Sequence, residues 1–275
     1  MAQVRAIGGE MKMKELLKGK VAIITGSGRG IGKGIAIAFV EQGCKVVIND
    51  IDPNPCAETV EELKAMGGEA IACPADVTNV EQVNKMIADT IAAFGKIDIL
   101  VNNAGTSRDA MIQKMDDRLL RFIIDVNMKG THVCTQAVLS EFLKAERNDE
   151  FKKIVNFSST TGVSGNIGQA NYAIAKGGLI AYTKSCAREF SLNRVCVNAI
   201  APGFTETRMT ALKKPGEKLG LPQAIRDIAI GGIPFARDGV GGLPSDIAKI
   251  VLFLSSELSD WITGQILIAA GGSMI

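Results

Sequence analysis

The chain is short of histidine, with one among its 275 residues. A serine hydrolase needs a base beside its nucleophile, and only His132 could serve. No Gly-x-Ser-x-Gly sequence, which carries the nucleophile in one large class of hydrolases, is present either. The sequence therefore argues against a Ser-His-Asp hydrolase, and His132 lies in an apolar-periodic segment where a structural role is expected.

The chain also lacks features that mark secreted, metal-binding, membrane or nucleic-acid-binding proteins. Its six cysteines include no Cys-x-x-Cys pair, which fits neither a disulfide framework nor a zinc knuckle. The formal net charge is +2 and the basic residues are scattered, so no strong field favours nucleic acid or an acidic membrane. No apolar run approaches the roughly 18 residues of a membrane span, and no signal-peptide segment begins the chain. We expect a soluble cytoplasmic protein with reduced cysteines, no metal site, and no nucleic-acid or membrane partner.

Short runs rich in β-branched residues alternate with longer segments of helical period. The runs that predict strands are residues 20–25, 45–50, 69–73, 96–101 and 152–158. The segments that predict helices have apolar residues three and four positions apart, and each ends at glycine, the usual helix stop: residues 31–43, 55–67 and 79–95. This alternation predicts a single α/β domain, a Rossmann-type doubly wound parallel sheet flanked by helices.

Two segments stand outside this alternation. Residues 1–18 are predicted to be an N-terminal arm on a domain of residues 19–275. A stretch punctuated by proline and glycine, about 203–243, is too long for a plain connection. Because long excursions of this kind often cover a binding site, we predict that this stretch is a lid.

The first predicted strand runs into a glycine-rich turn, "TGSGRGIG". Its glycines do not fit Gly-x-Gly-x-x-Gly, but Gly26, Gly30 and Gly32 fit Gly-x-x-x-Gly-x-Gly. Both glycine patterns meet the same structural requirements of a bound pyrophosphate. These are a tight turn, a backbone free of Cβ atoms beside the pyrophosphate, and a helix N-terminus that points at its charge. Asp50 ends the second strand, where a carboxylate can accept hydrogen bonds from an adenosine ribose. A bare turn or a solvated acid would explain either feature alone, but their order predicts a nucleotide site.

The fourth predicted strand ends in "LVNNAG". In an open parallel sheet, ligands collect at the carboxyl ends of the strands. Asn103, Ala104 and Gly105 could therefore form a shelf beside a cofactor. Taken alone, the fragment fits an ordinary strand-end turn equally well.

Four motifs together carry a family resemblance: "TGSGRGIG", "NNAG", a serine thirteen residues before "YAIAK", and "VNAIAPGFTET". Their order and spacing resemble the short-chain dehydrogenase/reductase family over residues 20–275, with a pattern closest to the 3-oxoacyl-(acyl carrier protein) reductase branch. The resemblance implies a nicotinamide cofactor, with Asp76 near its adenine and Thr207 near its carboxamide or phosphates. The implied catalytic tetrad is Asn127, Ser159, Tyr172 and Lys176. The further implied cofactor contacts are Arg29, Ile31, Val77, Pro202, Gly203, Thr205, Tyr172 and Lys176.

Ketone reduction makes chemical sense of the tyrosine and the lysine. Hydride transfer leaves negative charge on oxygen, and a phenol with a pKa of about 10 is a poor proton partner at neutral pH until a cation lowers that pKa. Positions i and i+4 share a helix face, so we expect the Lys176 ammonium and an oxidised nicotinamide to favour the Tyr172 phenolate. Ser159 would hold the substrate oxygen, and its spacing to Tyr172 favours it over Ser158. The resemblance implies that Asn127 holds a water that links Lys176 to solvent.

Two classes of function fit these residues. The first is an NAD(H)-dependent oxidoreductase that interconverts a small-molecule secondary alcohol and a ketone, with reduction of a 3-oxoacyl thioester of fatty-acid metabolism as its alternative. The second is a nucleotide-binding module without catalysis. An acidic carrier protein would require basic residues at the mouth of the site. Lys152, Lys153 and Arg194 are candidates, whereas the acidic residues within 146–150 argue against such a partner.

The residues after the second strand predict which nicotinamide cofactor is used. Asp50 and Asp52 would repel a 2′-phosphate, so we expect NAD(H) to be preferred. NADP(H) stays possible, because Arg29 stands in the glycine turn and the carrier-protein reductases usually take NADPH. The arginine either points to solvent or pairs with Asp50.

The pattern of two long segments predicts assembly. Helices are expected over roughly 116–146 and 170–190, with apolar residues on more than the face that one sheet can cover. On the first helix these are Phe122, Val126, Val133, Ala137 and Phe142. Because members of the resembling family pair such helices across two-fold axes, we expect a homotetramer.

Overall fold

The computed structural model describes residues 15–144, 150–213, 216 and 220–274. Residues 1–14, most of the predicted arm, lie outside the described residues. The last part of that arm packs on the domain. Leu17 is buried in the core, and its N–H donates to the carbonyl oxygen of Gln42 at 3.0 Å.

Seven parallel strands form the central sheet. In chain order they are β1 (Val21–Ile24), β2 (Lys45–Ile48), β3 (Ala70–Ala72), β4 (Ile99–Asn102), β5 (Lys152–Phe157), β6 (Val195–Pro202) and β7 (Ile266–Ala269). Their order across the sheet is β3-β2-β1-β4-β5-β6-β7, and all neighbours pair in parallel. Strand order reverses between β1 and β4, so a crevice opens there at the carboxyl ends of the strands.

Helices cover both faces of the sheet. Within the described ranges they are α1 (Gly30–Glu41), α2 (Pro53–Ala65), α3 (Val80–Phe94), α4 (Asp117–Ile124), α5 (Gly130–Phe142), α6 (Thr160–Ser164), α7 (Ala170–Phe190), α8 (Gln223–Gly231) and α9 (Pro244–Ser255). The predicted doubly wound α/β fold is therefore confirmed.

Alternate residues of each strand bury two separate hydrophobic cores. On one face, Ile24 and Val101 pack with α1, α2 and α9. On the other face, Ile23 and Leu100 pack with α3, α5 and α7. Because both faces are covered, the strands are nearly continuous apolar runs, as parallel strands buried on both sides require.

Helix α3 illustrates how local sequence sets the helix ends. The Asn79 side chain accepts a hydrogen bond from the N–H of Gln82 and caps the first turn. Val83, Met86 and Ile87 recur at helical spacing and face the core. Gly95 ends the helix with φ of 78°, in the left-handed region that glycine adopts without strain.

The structure departs from the sequence predictions in three places. Strands β6 and β7 are not among the strands predicted from the sequence. The predicted helix over 116–146 is interrupted by a π-helical turn at Asp125–Lys129, between α4 and α5. Val133 and Phe142 pack in the chain's own core rather than on an outer face. Phe122 remains 38% exposed.

The six cysteines are all buried and unpaired. His132 on α5 is exposed, and its Nδ1 lies 3.2 Å from the Tyr182 hydroxyl on α7. Across the part of the chain that the structure describes, no helix has the length and apolarity needed to cross a membrane.

Candidate functional site

A cleft of about 860 Å³ opens at the carboxyl ends of β4, β5 and β6. Ten of the predicted site residues line it: Ile31, Asn103, Gly105, Ser159, Tyr172, Lys176, Pro202, Gly203, Thr205 and Thr207. The other predicted site residues lie outside its lining: Gly26, Arg29, Gly30, Gly32, Asp50, Asp76, Val77, Ala104 and Asn127. The structure thus brings the tyrosine, lysine and serine together, and places the acids after β2 and β3 elsewhere along the same edge of the sheet.

The glycine turn between β1 and α1 leaves no room for a Cβ at Gly26 or Gly32. Gly26 has φ of 63° and Gly30 has φ of 58°, both left-handed. A Cβ on Gly26 would lie 2.8 Å from the Cα of Ala104, and one on Gly32 would clash with the Gly26 carbonyl oxygen. The spacing predicted from the sequence therefore has a steric cause in this turn.

Asn103 joins the end of β4 to the glycine turn. Its side-chain amide donates to the carbonyl oxygens of Thr25 and Gly26, both at 2.9 Å. The Thr25 hydroxyl accepts from the N–H groups of Asn103 and Ala104, both at 3.0 Å. Thr25 is not among the predicted site residues, although it is the first residue of the glycine motif.

Two carboxylates and one arginine lie after β2. Arg29 Nη2 donates to Asp52 Oδ2 at 2.8 Å, so the arginine pairs with Asp52 and not with Asp50. The Asp50 carboxylate packs beside Gly28, where a Cβ would lie 3.0 Å from Asp50 Oδ2. Asp50 also accepts a hydrogen bond from the N–H of Asp52 at 3.2 Å. Its carboxylate therefore keeps a negative charge that no arginine neutralises among the described residues.

Asp76 and Val77 follow β3 and stabilise the local chain. Asp76 Oδ1 accepts from both the N–H and the hydroxyl of Thr78 at 2.8 Å. Val77 is buried, and a Cβ on Gly130 of α5 would lie 2.6 Å from it.

The loop after β6 is tied to helix α8 through an ion pair. Both guanidinium NH₂ groups of Arg226 donate to the Glu206 carboxylate at 3.0 Å, and Arg226 also donates to the Thr210 carbonyl oxygen. The Thr210 hydroxyl donates to the Thr205 carbonyl oxygen at 2.6 Å and accepts from the Thr207 N–H at 2.9 Å. Residues 221–229 form one wall of the cleft. That the whole stretch of 203–243 acts as a lid stays a prediction, and residues 214–215 and 217–219 of it lie outside the described residues.

Tyr172 and Lys176 lie one turn apart on α7, facing the end of β5. The Lys176 ammonium donates to the Phe157 carbonyl oxygen at 2.7 Å and lies 5.6 Å from the centre of the Tyr172 ring. Ser159 caps the short helix α6 and lines the cleft. The hydroxyl of Ser158 instead donates to the Lys176 carbonyl oxygen at 2.8 Å, which favours Ser159 as the serine available to a ligand.

Burial controls the pKa values of this pair. Burial raises the pKa of Tyr172 to about 12, although hydrogen bonding with Ser159 lowers it in part. Burial also lowers the pKa of Lys176 to about 7. The raised pKa of Tyr172 is opposite in direction to the lowering expected from Lys176 and an oxidised nicotinamide, because burial disfavours the charged phenolate. The lowering with the cofactor bound stays a prediction.

Asn127 lies in the π-helical turn, fully buried below the cleft. Its Nδ2 donates to the carbonyl oxygens of Thr106 and Ile123, at 2.8 and 2.9 Å. Its Oδ1 has no hydrogen-bond partner within the described residues. A Cβ on Gly105 would lie 2.5 Å from this Oδ1 and 3.3 Å from the Lys176 ammonium. Glycine at 105 therefore keeps the space beside both polar groups open.

The basic residues considered for a carrier protein lie far from the cleft mouth. Lys152 and Lys153 begin β5 and Arg194 precedes β6, whereas the cleft lies at the carboxyl ends of these strands. Lys152 pairs with Asp98 at 2.6 Å, and Lys153 is buried and pairs with Asp260 at 2.6 Å. The placement predicted for these three residues is wrong. The acidic residues Glu146 and Asp149 lie outside the described residues.

Several residues of the cleft wall were not singled out from the sequence. Asp109 and Gln169 contribute polar groups, and Ile225 and Ile228 contribute apolar surface. Gln169 is the N-cap residue of α7, three residues before Tyr172, and that spacing is the signal that could have identified it.

A glycine turn at the switch point, beside a cleft lined by a half-buried tyrosine and a buried lysine, defines an α/β oxidoreductase of the nicotinamide-dependent class. The profile of the family described as "short chain dehydrogenase" matches residues 20–218. The chain belongs to this family, whose members act on CH–OH groups with a nicotinamide cofactor.

Three similar proteins match nearly the whole chain. The 3-oxoacyl-[acyl-carrier-protein] reductase FabG of Thermotoga maritima is 39% identical over 259 residues, which cover 94% of this chain and 99% of that protein. The 3-oxoacyl-[acyl-carrier-protein] reductase of a Synechocystis species is 39% identical over 261 residues, or 94% and 98% of the two chains. FabG of Staphylococcus aureus is 38% identical over 254 residues, or 92% and 97%.

The buried lysine generates a prediction about stability. Because the pKa of Lys176 is lowered from 10.5 to about 7, the unfolded chain binds a proton between these values that the folded chain does not. The folded wild-type protein should therefore become more stable relative to Lys176→Met as the pH rises above 7. The difference between their free energies of unfolding should increase by at most about 1.4 kcal/mol per pH unit. Urea unfolding followed by circular dichroism, at fixed protein concentration and below the pKa of tyrosine, measures this difference. A difference that does not change with pH would mean that Lys176 stays charged in the folded protein.

Proposed function

We propose that this protein is an NAD(H)-dependent oxidoreductase that interconverts a secondary alcohol and a ketone, with Tyr172 as general acid and base. The observation that carries the proposal is the shared cleft of Tyr172, Ser159 and Lys176 beside the glycine turn. A ketone oxygen between the serine and tyrosine hydroxyls would meet one hydrogen-bond donor for positioning and one proton donor.

The residues present fit a dinucleotide cofactor. The glycine turn has no room for a Cβ at Gly26 or Gly32, and the buried Oδ1 of Asn127 lacks a partner among the described residues beside the open space at Gly105. We propose that the turn holds the pyrophosphate, that Asp50 accepts from the adenosine ribose, and that Thr207 and Lys176 contact the nicotinamide half. When bound, a reduced nicotinamide supplies the hydride that reaches the carbonyl carbon.

Each side chain then has a separate task in ketone reduction. Tyr172 donates its phenolic proton to the carbonyl oxygen as that oxygen gains negative charge. Its raised pKa keeps the proton on the phenol until that moment. Lys176, with a pKa of about 7, can return a proton at neutral pH. We infer that Asn127 Oδ1 accepts from a water beside Lys176, which connects this proton supply to solvent.

Within this reaction, a 3-oxoacyl thioester is the ketone that the similar proteins favour. The three relatives described above are named as 3-oxoacyl-[acyl-carrier-protein] reductases. The apolar wall of Ile225 and Ile228 suits an acyl chain. Because the basic residues considered for an acidic carrier lie at the opposite edge of the sheet, the thioester itself is proposed as the recognised group. Rates on acetoacetyl thioesters, cyclic ketones and aryl ketones would separate this substrate from other ketones.

Replacing Tyr172 tests the proposed chemistry. Tyr172→Phe removes only the hydroxyl, so kcat should fall by at least about 100-fold while cofactor affinity stays nearly unchanged. Tyr182→Phe is the matched control, because the other tyrosine of the chain lies on the same helix outside the cleft lining. Steady-state kinetics and calorimetric titration with NADH give the two quantities. Near-normal turnover in Tyr172→Phe would remove this residue from the mechanism.

The charges after β2 support a preference for NAD(H). A 2′-phosphate would face Asp50, whose charge no arginine among the described residues neutralises, and Arg29 is engaged with Asp52. A free ribose can donate hydrogen bonds to the Asp50 carboxylate.

We expect kcat/KM with NADH to exceed that with NADPH by at least about tenfold, or roughly 1.4 kcal/mol. Asp50→Ser should narrow the ratio by improving the reaction with NADPH, since the repulsion is removed. Glu58→Gln, which removes an exposed carboxylate of α2, should leave the ratio unchanged. Equal or better efficiency of the wild-type protein with NADPH would mean that Arg29 dominates the site.

We also propose that the chain assembles as a homotetramer. Trp261 is 98% exposed, and Ile268 is 46% exposed on the edge strand β7. Ile174 on α7 and Phe122 on α4 are also exposed. Apolar groups at an open strand edge favour contact with a second chain.

Light scattering at micromolar concentration should give the mass of four 29.1 kDa chains. Trp261→Ser should shift the mass downward, because it removes the most exposed large apolar side chain. Met66→Ser, at the end of α2, is the control for loss of an exposed apolar group elsewhere. The mass of a single wild-type chain would contradict the tetramer.

A further inference from the structure

The cleft wall carries few charges. Among the described residues that line it, Asp109 is the only acidic residue and Lys176 the only basic one. Lys176 is buried and donates to the Phe157 carbonyl oxygen. Asp109 is exposed, so its carboxylate is the charge that a substrate meets on entering.

The Asp109 carboxylate is held in place without being neutralised. Its two oxygens accept from the side-chain amide of Gln169 at 3.0 and 3.1 Å. Gln169 is fixed in turn, because its Oε1 accepts from Thr161 Oγ1 and Asn166 Nδ2, both at 3.1 Å. No ion pair with Asp109 is present in the described part of the chain. The nearby Arg108 lies outside the cleft lining, with its guanidinium 4.7 Å from the centre of the Phe122 ring.

The negative charge of Asp109 affects the Tyr172 hydroxyl. Gln169, which holds it, stands one helical turn before Tyr172. The negative charge of Asp109 adds to the raising of the Tyr172 pKa, behind the larger effect of burial. A carboxylate on a substrate bound at Tyr172 would therefore be repelled by the Asp109 carboxylate. The low-dielectric walls of the cleft strengthen this repulsion.

Exposed apolar side chains also line the cleft. Ile167 is 84% exposed and Ile228 is 72% exposed, and both line the cleft. Ile225 and Leu221 extend this apolar wall. These side chains can bury an alkyl chain but cannot solvate a carboxylate.

We propose that Asp109, positioned by Gln169, determines substrate charge: the cleft accepts uncharged esters and thioesters of 3-oxo acids and rejects the free acids. This inference rests on the proposed ketone reduction and names the substrate class of that same site. Asp109 acts by repelling anions, not by contacting the reacting atoms.

The test compares methyl acetoacetate with acetoacetate, which share one ketone and differ by one charge. In the wild-type protein, kcat/KM near neutral pH should favour the ester by at least about tenfold. Asp109→Asn, which keeps the shape of the side chain, should reduce this ratio about tenfold. Added salt should narrow the ratio in the wild-type protein and have little effect on it in Asp109→Asn, because the repulsion is screened. The ratio is used because a general loss of activity cancels in it.

Two further variants separate charge from structure. Asp109→Glu retains the charge and should retain the preference for the ester. Glu189→Gln removes an exposed carboxylate from α7, outside the cleft lining, and should not alter the ratio. A ratio in Asp109→Asn equal to that of the wild-type protein would overturn the proposal.

Binding without turnover distinguishes this proposal from the proposed function. The experiment measures the affinity of two proteins, Tyr172→Phe and the double variant Asp109→Asn, Tyr172→Phe. For each protein, binding of 3-hydroxybutyrate is compared with binding of its methyl ester, with cofactor present. The double variant should bind the acid about tenfold more tightly relative to the ester. If the double variant gives this result but the wild-type protein reduces neither ketone, the proposed function is refuted and the role of Asp109 is retained. Equal relative affinities would refute the role of Asp109.

Discussion

The hydrogen bonds of one side-chain amide hold the two halves of the sheet in register at the site. Asn103 donates to the carbonyl oxygens of Thr25 and Gly26, and so fixes the end of β4 against the turn after β1. Strand order reverses between these two strands. At this junction the backbones approach so closely that Gly26 and Gly32 cannot carry side chains. The glycine turn and the cleft floor at Gly105 both adjoin this junction.

Dehydration of one pocket adjusts two ionisable groups in opposite directions. Tyr172 becomes a weaker acid and Lys176 a weaker base, because burial disfavours the charged form of each. A neutral phenol beside an amine that titrates near pH 7 is a suitable pair for delivering and replacing one proton. The polar atoms around them are consistent with this. The Phe157 carbonyl oxygen holds the lysine, and Asn127 Oδ1 lies beside the open space above Gly105.

Local pattern is enough to predict strands β1 to β5, the glycine turn, and the shared face of Tyr172 and Lys176, since each depends on residues close in sequence. The pairing of Arg29 with Asp52 cannot be predicted in this way, because it depends on how the loop after β2 folds over the turn. The pKa of Tyr172 depends on burial, which no spacing encodes. The misplacement of Lys152 is different. Lys152 stands at the start of a predicted strand, and in a parallel sheet the starts of the strands lie at the edge opposite to the one that binds ligands. Its position could therefore have been predicted from the sequence.

The order of the strands also affects how the chain folds as it is synthesised. Strands β2 and β3 follow β1 directly, so one edge of β1 is paired early. Its other edge pairs with β4, which begins at Ile99, only after α2 and α3 have been made. Until then the N–H and C=O groups along that edge of β1 are exposed and able to pair with another nascent chain. The edge of β1 at the switch point that creates the cleft is therefore also an edge that stays open until β4 has been made.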